Sequence, residues 1–188
     1  MNTNLGTLFL HWNNVISEDI CQKIIEIGNN NWKSADTFGG FNEIRKSDVA
    51  YVDEQWITDL IWPYMLAANE NVWKYDIRSI ESLQITKYEK SGFYGWHRDG
   101  TGSHDEIFTD PSNEFLYGNT RKLSMSLILN SDFEGGNFEV FPKANISVPK
   151  LPQGSVIFFP AWLVHRVKPI KKGIRYSLVS WFLGPPFI

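Results

Sequence analysis

The feature that most constrains the fold is a succession of short strand-like segments that begins after about residue 75. These segments are rich in β-branched and aromatic residues: Ile77–Tyr88, Lys122–Asn130, Asn137–Phe141, Ser155–Phe159 and Ile174–Phe182. Turn signals divide them at residues 90–92, 134–136 and 152–154. Because no helical pattern lies between them, the strands are expected to pair antiparallel in a sandwich or small barrel.

The first third of the chain carries helical patterns instead. Thr7–Trp12 is typical of a short opening strand, and Ser17 is a candidate N-cap for a helix that ends near residues 28–30. A second helical region covers about Glu54–Val72, where Pro63 must start a new helix or kink this one.

Length and composition favour one compact domain. With 188 residues, 43% of them hydrophobic and 21% charged, the chain can enclose a core without disulfides or structural zinc. The prediction is a single α+β domain over residues 1–188, mainly β, with a helical part of about 1–75 outside a core of about 76–188. Eight Trp, seven Tyr and thirteen Phe fit a deep ligand cleft in that core.

The charge pattern argues against several partners. The net charge is −3, and no Lys/Arg run offers a footprint for nucleic acid or a membrane surface. Cys21 is the one cysteine, so neither an intrachain disulfide nor a cysteine zinc site can form. No apolar run is long enough to span a membrane, and a reducing cytoplasm is the expected compartment. The oligomeric state stays open between a monomer and a homodimer.

Three side chains form a candidate metal site. His97 and Asp99 are two residues apart, and residues at this spacing on an extended strand point to the same face. A third ligand must come from a distant strand, and His165 follows the apolar run Val156–Pro160. Two imidazoles and one carboxylate make the facial triad suited to non-haem Fe(II), which leaves coordination positions for a co-substrate and O₂.

Each part of this triad also has a structural interpretation. A His-x-Asp pair arises often by chance, so His97 can be an ordinary strand histidine and Asp99 a turn residue. His11 is interpreted as structural. His104 and Asp105 form a rival metal pair, but their segment, Gly100–Thr120, is interpreted as a lid or a mobile insertion and is a poor platform for a preorganised site.

Arg175 adds a second layer to the pattern. It lies ten residues after His165, on the segment Ile174–Phe182. A dicarboxylate that chelates iron through one end needs a cation for its far carboxylate, and arginine binds carboxylates through two parallel hydrogen bonds. Ser177 faces the same side and can add a hydroxyl donor. The alternative is that Arg175 is a surface residue of the strand.

With these residues in place, the chain resembles the Fe(II)/2-oxoglutarate dioxygenases, in particular the prolyl 4-hydroxylase-like branch. The resemblance covers about Ser79–Phe182. It is carried by Leu83–Tyr88, Gly92–Tyr94 and His97-x-Asp99, by Arg121–Asn130 with Gly135-Gly136 and Phe141-Pro142, and by Pro152–Gly154, Phe158-Phe159, His165, Gly173-x-Arg175 and Trp181.

The resemblance implies roles for individual residues. Tyr88 would hydrogen-bond the co-substrate beside Arg175, and Ser124 would line the same pocket. Trp181 would form a wall near the iron, and Tyr94 would sit at the substrate entrance. For these aromatic residues the alternative is ordinary core packing. Ile128 departs from the pattern, because several prolyl hydroxylases carry a tyrosine there.

The resemblance also implies a double-stranded β-helix, or jelly-roll, and a reaction in which 2-oxoglutarate and O₂ become succinate and CO₂ while a substrate is hydroxylated. Ascorbate is the expected reductant. Asp99 favours hydroxylation, because related halogenating enzymes carry a small residue in place of the carboxylate.

The leading substrate is a prolyl residue of a peptide or protein. A hydroxylase of a free amino acid or other small molecule is the main alternative. The acidic charge balance disfavours a nucleic-acid demethylase, and a non-enzymatic jelly-roll binding module would require the site residues to be coincidental.

Overall fold

Fourteen β-strands and two α-helices make up the part of the chain that the computed structural model describes, residues 8–29, 31–35, 44–100, 107–141 and 148–187. The strands of the first third are β1 (Leu10–Trp12), β2 (Lys33–Ser34), β3 (Arg45–Lys46) and β4 (Asp48–Val52). Those that follow are β5 (Ser79–Ile80), β6 (Leu83–Tyr88), β7 (Phe93–His97), β8 (Thr120–Ile128), β9 (Phe133–Gly135), β10 (Phe138–Val140), β11 (Val156–Pro160), β12 (His165–Val167), β13 (Ile170–Gly173) and β14 (Arg175–Gly184).

Both predicted helical regions are confirmed. Helix α1 spans Glu18–Gly28, directly after Ser17, although the Ser17 side chain makes no capping hydrogen bond. Helix α2 spans Gln55–Ala68 and continues into a π-helical turn over Asn69–Trp73. Pro63 lies inside α2, so it does not start a new helix. Neither of these helices is both long enough and apolar enough to span a membrane.

All strand pairs are antiparallel, as predicted. Among the described residues, the larger sheet has eight strands in the order β1-β11-β8-β14-β6-β4-β2, with β5 paired to β14. A second sheet runs β10-β12-β7-β3, and β13 pairs with β9. The first third of the chain therefore contributes strands as well as helices, since β1, β2 and β4 extend the larger sheet and β3 extends the smaller one.

The two faces of the larger sheet differ in character because side chains alternate along each strand. One face carries apolar side chains such as Ile85, Met125 and Phe182, which pack with Ile24 and Met65 of the helices in the main core. The other face is polar. Its members include Gln84, Thr86, Tyr88, Ser126, Arg175 and Ser177, most of them buried. A row of buried polar side chains indicates a ligand cleft rather than a packed core.

Candidate active site

The three predicted metal ligands meet at the smaller sheet. His97 is the last residue of β7 and His165 is the first residue of β12, and the two are cross-strand partners. Asp99 follows the end of β7, and its backbone N–H donates to the Ala161 carbonyl at 3.0 Å. One ligand atom from each of the three residues lies within 4.8 Å of the other two. In the described part of the chain this is the only such group of three metal-ligating side chains.

Hydrogen bonds orient both imidazoles. Nδ1 of His97 lies 2.8 Å from the Gly95 carbonyl, and Nδ1 of His165 lies 2.8 Å from the Leu163 carbonyl. A carbonyl oxygen only accepts, so each Nδ1 carries the proton and each Nε2 presents a lone pair. The two Nε2 atoms lie 3.6 and 3.7 Å from the Asp99 carboxylate. A hydrogen bond from Nδ1 to a backbone carbonyl is how proteins orient histidines that bind a metal through Nε2.

Asp99 is held as a carboxylate. Burial by itself raises the pKa of the Asp99 carboxyl, but the interactions with His165, His97 and Ser124 outweigh burial and lower that pKa below its usual range. The Ser124 hydroxyl donates to Oδ2 of Asp99 at 2.5 Å. An ionised, hydrogen-bonded carboxylate beside two neutral imidazoles is a ready ligand set for a divalent cation.

His165 is held neutral. It is 5% exposed, and burial lowers the pKa of its imidazole to about 4, although the Asp99 charge acts in the opposite direction. Phe138 and Phe159 pack against the imidazole, with ring centroids 5.4 and 4.7 Å away. Apolar walls of this kind keep water from a bound metal.

The predicted co-substrate residues line a cleft of about 300 Å³ beside the metal ligands. Arg175 and Tyr88 are cross-strand partners on β14 and β6, and each is buried. Arg175 donates to the Ser177 hydroxyl at 3.0 Å and lies 5.5 Å from the centroid of the Tyr88 ring. Trp181 lines the same cleft. These four residues lie on one face of the larger sheet.

Arg175 is a buried cation without an anion. It is 2% exposed, and among the described residues no carboxylate lies within ion-pair distance of it. Burial lowers the pKa of its guanidinium, which nevertheless stays protonated at neutral pH. The indole Nε1 of Trp181 is also buried and has no hydrogen-bond partner in the described part of the chain. Unsatisfied buried groups of this kind indicate that a ligand completes the cleft.

One residue lies in a position that differs from the expectation. Ser124 contacts the Asp99 carboxylate and is not among the residues that line the cleft. The Tyr94 ring stacks on the His97 imidazole, with centroids 3.4 Å apart and planes 11° apart. Ile128 is buried opposite Ser177, where the resemblance expects a tyrosine.

Several cleft residues were missed by the sequence reasoning. Gln84 and Thr86 hydrogen-bond each other at 2.8 Å, and the two-residue period back from Tyr88 predicts their orientation. Arg121 stacks 4.1 Å from the Trp181 ring and is paired with Glu81 by two short hydrogen bonds. Arg45 also lines the cleft, but its two-residue strand gives no recognisable pattern.

His11 does not join this site. His11 lies on β1, where it contacts Asn13 and stacks on Phe9. The rival pair His104 and Asp105 lies outside the described residues, as does Pro142 of the resemblance. The described part of the predicted lid, residues 107–120, closes on itself through two backbone hydrogen bonds between Phe108 and residues 118 and 119.

Comparison with known proteins identifies the family. A family model described as the 2OG-Fe(II) oxygenase superfamily matches residues 83–183, more than half of the chain. The chain belongs to this superfamily. The resemblance read from the sequence is thereby confirmed, and Fe(II) and 2-oxoglutarate are the metal and co-substrate of this class of oxygenase.

Curated relatives and solved structures agree with this assignment. A PKHD-type hydroxylase from Synechococcus sp. is 34% identical over 107 residues, which are 54% of this chain and 42% of that protein. The chain therefore spans less than half the length of the curated relatives that it matches.

The fold is that of solved members of the superfamily. A viral collagen prolyl hydroxylase from Paramecium Bursaria Chlorella virus-1 aligns over 95% of this chain and 97% of its own, with 18% identity and a TM-score of 0.70. A prolyl hydroxylase from Trichoplax adhaerens, solved with a hypoxia inducible factor peptide, aligns over 94% and 83%, with 17% identity and a TM-score of 0.73. The jelly-roll prediction is confirmed.

Proposed function

We propose that this chain is an Fe(II)/2-oxoglutarate-dependent dioxygenase that hydroxylates a prolyl residue of a peptide or protein. The observation that carries the proposal is the convergence of His97, Asp99 and His165 next to the unpaired, buried guanidinium of Arg175. One end of this arrangement suits a metal and the other suits a carboxylate.

The donor set fits Fe(II). Two neutral imidazoles and one carboxylate leave room on one side of the ion for further ligands. Bound Fe(II) and 2-oxoglutarate supply the O₂-dependent oxidation, in which a substrate C–H becomes C–OH and the co-substrate becomes succinate and CO₂. In this proposal Ser124 is a positioning residue, because its hydroxyl fixes the carboxylate of Asp99.

The far end of the cleft fits a dicarboxylate. Arg175 supplies a charged fork, while the Tyr88 phenol and the Ser177 hydroxyl complete a set of donors around the same point. A carboxylate bound here would also neutralise the one guanidinium of the described cleft lining that is almost wholly buried and unpaired. Trp181 closes the wall between this end and the metal ligands.

Several findings support a prolyl substrate. The Trichoplax neighbour was solved with a peptide fragment, and the Synechococcus relative is named a PKHD-type hydroxylase. In this proposal Tyr94, which lines the cleft and stacks on the ligand His97, forms the substrate entrance. A free amino acid or small molecule is the second candidate substrate, because the cleft volume of about 300 Å³ also suits a compact ligand.

We also propose that residues 1–188 form a single catalytic domain. The support is that β1, β2 and β4 pair within the sheet that carries Arg175, while β3 pairs with the strand that carries His97. The helical first third is thus tied to the core through strands as well as through helix packing.

The test is consumption of 2-oxoglutarate by the iron-loaded protein, with ascorbate present as reductant. We expect succinate to form, and proline-rich peptides to gain the mass of one oxygen atom. His165→Ala is the matched control and should form no succinate. Succinate formation at the same rate by the control would remove the triad from the proposal. Oxygen gain by free proline but not by peptides would select the second substrate.

A further inference from the structure

We propose that the substrate carries a carboxylate near the hydroxylated residue and that Arg45 binds it at the mouth of the cleft. This inference rests on the proposed function and names the substrate class of the same site. The proposed substrates are acidic peptides, because the space next to Arg45 has room for an extended chain.

The charges around the cleft are one-sided. Among the described lining residues, four are arginines, Arg45, Arg98, Arg121 and Arg175, and Asp99 is the only carboxylate. The chain as a whole has a net charge of −3, so this concentration of positive charge is local. A cleft lined by one sign of charge attracts ligands of the opposite sign.

Two of these arginines already have roles. Arg175 lies at the buried end, where the co-substrate is proposed to bind. Arg121 is neutralised by Glu81 through hydrogen bonds of 2.6 and 2.7 Å. Neither of them is available for an anionic group of the substrate.

Arg45 has no carboxylate partner among the described residues. Its Nε donates to the Ser47 hydroxyl at 2.7 Å, and its guanidinium lies 4.5 Å from the centroid of the Tyr94 ring. These contacts orient the guanidinium, but a hydroxyl and an aromatic ring carry no negative charge to neutralise it. Because β3 pairs with β7, with Arg45 opposite Tyr94, the position is set by the sheet.

The position of Arg45 relates directly to the metal ligands. Its guanidinium stacks on Tyr94, and Tyr94 stacks on the imidazole of His97, so the three groups form one column that ends at the metal site. An extended peptide advances about 3.3–3.6 Å per residue. The length of this column therefore matches the distance between the reacting residue and a carboxylate about two residues away in the peptide.

A second cavity favours an extended substrate. It has a volume of about 450 Å³, and Arg45 lines both this cavity and the cleft. Of the other charged groups there, Lys87 is paired, since it lies 2.9 Å from Asp48 and 3.2 Å from Glu89, while Lys46 is exposed. A peptide that leaves the cleft past Arg45 would continue into this space.

The experiment compares three peptides of one length that share a central proline and differ two residues to either side, where they carry glutamate, glutamine or lysine. Binding is measured by fluorescence anisotropy with the Fe(II)- and 2-oxoglutarate-loaded protein without O₂, so that no turnover occurs. We expect the glutamate peptide to bind about 5- to 20-fold more tightly than the glutamine peptide, because a partly exposed charged hydrogen bond is worth less than a buried one.

A charge reversal separates recognition from a structural role. Arg45→Glu should make the lysine peptide the tightest of the three, which mere disruption of the stack on Tyr94 cannot do. Lys33→Glu is the matched control. It makes a charge reversal on an exposed strand residue, but Lys33 lines neither the cleft nor the second cavity, so the preference for glutamate should remain.

The outcomes distinguish this inference from the proposed function. Equal affinity for the three peptides, or binding of none, overturns the inference, as does loss of the preference in the Lys33→Glu control alone. If O₂ is then admitted and all three peptides gain oxygen equally well, the dioxygenase proposal stands without an acidic preference. If the preference and its reversal are observed but no peptide gains oxygen, the recognition site stands and the proposed reaction fails.

Discussion

Replacement of Arg175 by methionine tests the central feature of the cleft, a buried cation that has no anionic partner among the described residues. In the absence of ligand, Arg175→Met removes an uncompensated buried charge while retaining much of the side-chain volume. It also removes one hydrogen bond to Ser177 and the contact with the Tyr88 ring. The stability and the affinity for 2-oxoglutarate should therefore change in opposite directions.

The magnitudes follow from the environment of the guanidinium. Desolvation of an unpaired charge costs several kcal/mol, and loss of the hydrogen bond and the ring contact offsets about 1–3 kcal/mol of this. The free energy of unfolding of the ligand-free protein should rise by about 1–2 kcal/mol. Loss of the charged partner should weaken 2-oxoglutarate binding by about 2–5 kcal/mol, a factor of about 30 to several thousand.

The assay is urea unfolding of the metal-loaded protein with and without 2-oxoglutarate. A concentration about 100-fold above the dissociation constant stabilises the native protein by about 2.7 kcal/mol. At the same concentration this stabilisation should fall below about 1 kcal/mol in the variant.

Arg121→Met is the matched control for Arg175→Met. It removes an arginine that is paired with Glu81, so a carboxylate is left without its partner and the protein should lose about 3–5 kcal/mol. If the two variants destabilise the ligand-free protein equally, Arg175 is a structural residue and the reasoning is refuted.

Four further predictions concern the metal site and the fold. His165→Ala should abolish high-affinity metal binding, measured by titration with Fe(II) under nitrogen; unchanged affinity would exclude His165 as a ligand. Ser124→Ala should weaken metal binding about 10- to 100-fold because Asp99 loses its hydrogen bond, and Ser124→Thr should restore most of it. The pKa of His165 is lowered from 6.5 to about 4 in the folded state, so the unfolded chain takes up a proton first as pH falls; the metal-free protein should lose about 3 kcal/mol between pH 6.5 and 4, and a flat urea-unfolding profile there would contradict the assignment. Gly154→Ala should destabilise the protein by about 2–4 kcal/mol in the same assay, because the residue has φ +75° and a Cβ would lie 2.0 Å from the Ile16 carbonyl oxygen; a loss under about 1 kcal/mol would show that the turn can shift.

Local pattern predicted much of the fold. Richness in β-branched and aromatic residues between turn signals predicted strands such as Lys122–Asn130, which the structure places at Thr120–Ile128. Short strands were harder to predict. Strand β3 has two residues and β12 has three, so neither contains enough alternation to be recognised, and both form only because neighbouring strands supply hydrogen-bond partners.

The candidate site shows the same contrast between features that local sequence predicts and features that depend on strand pairing. His97, Asp99, His165 and Arg175 could be selected from the sequence because metal and carboxylate chemistry limit the residue types that serve. The column of Arg45, Tyr94 and His97 could not, because it depends on the register between β3 and β7. The sequence predicted that Ser124 lines the co-substrate pocket, whereas its hydroxyl donates to Asp99. This difference follows from how β8 faces the end of β7.

The strand-rich core, the outer helices, the candidate metal ligands and a candidate residue for the distal carboxylate could all be predicted from the sequence. Each of these depends on residue type and short-range spacing. Only the folded structure shows that His165 meets His97 across two paired strands, that Arg175 is buried with no carboxylate partner among the described residues, and that Arg45 lines the cleft. These features depend on pairing between segments far apart in the chain, and strand register is set by packing of the whole sheet rather than by any local pattern.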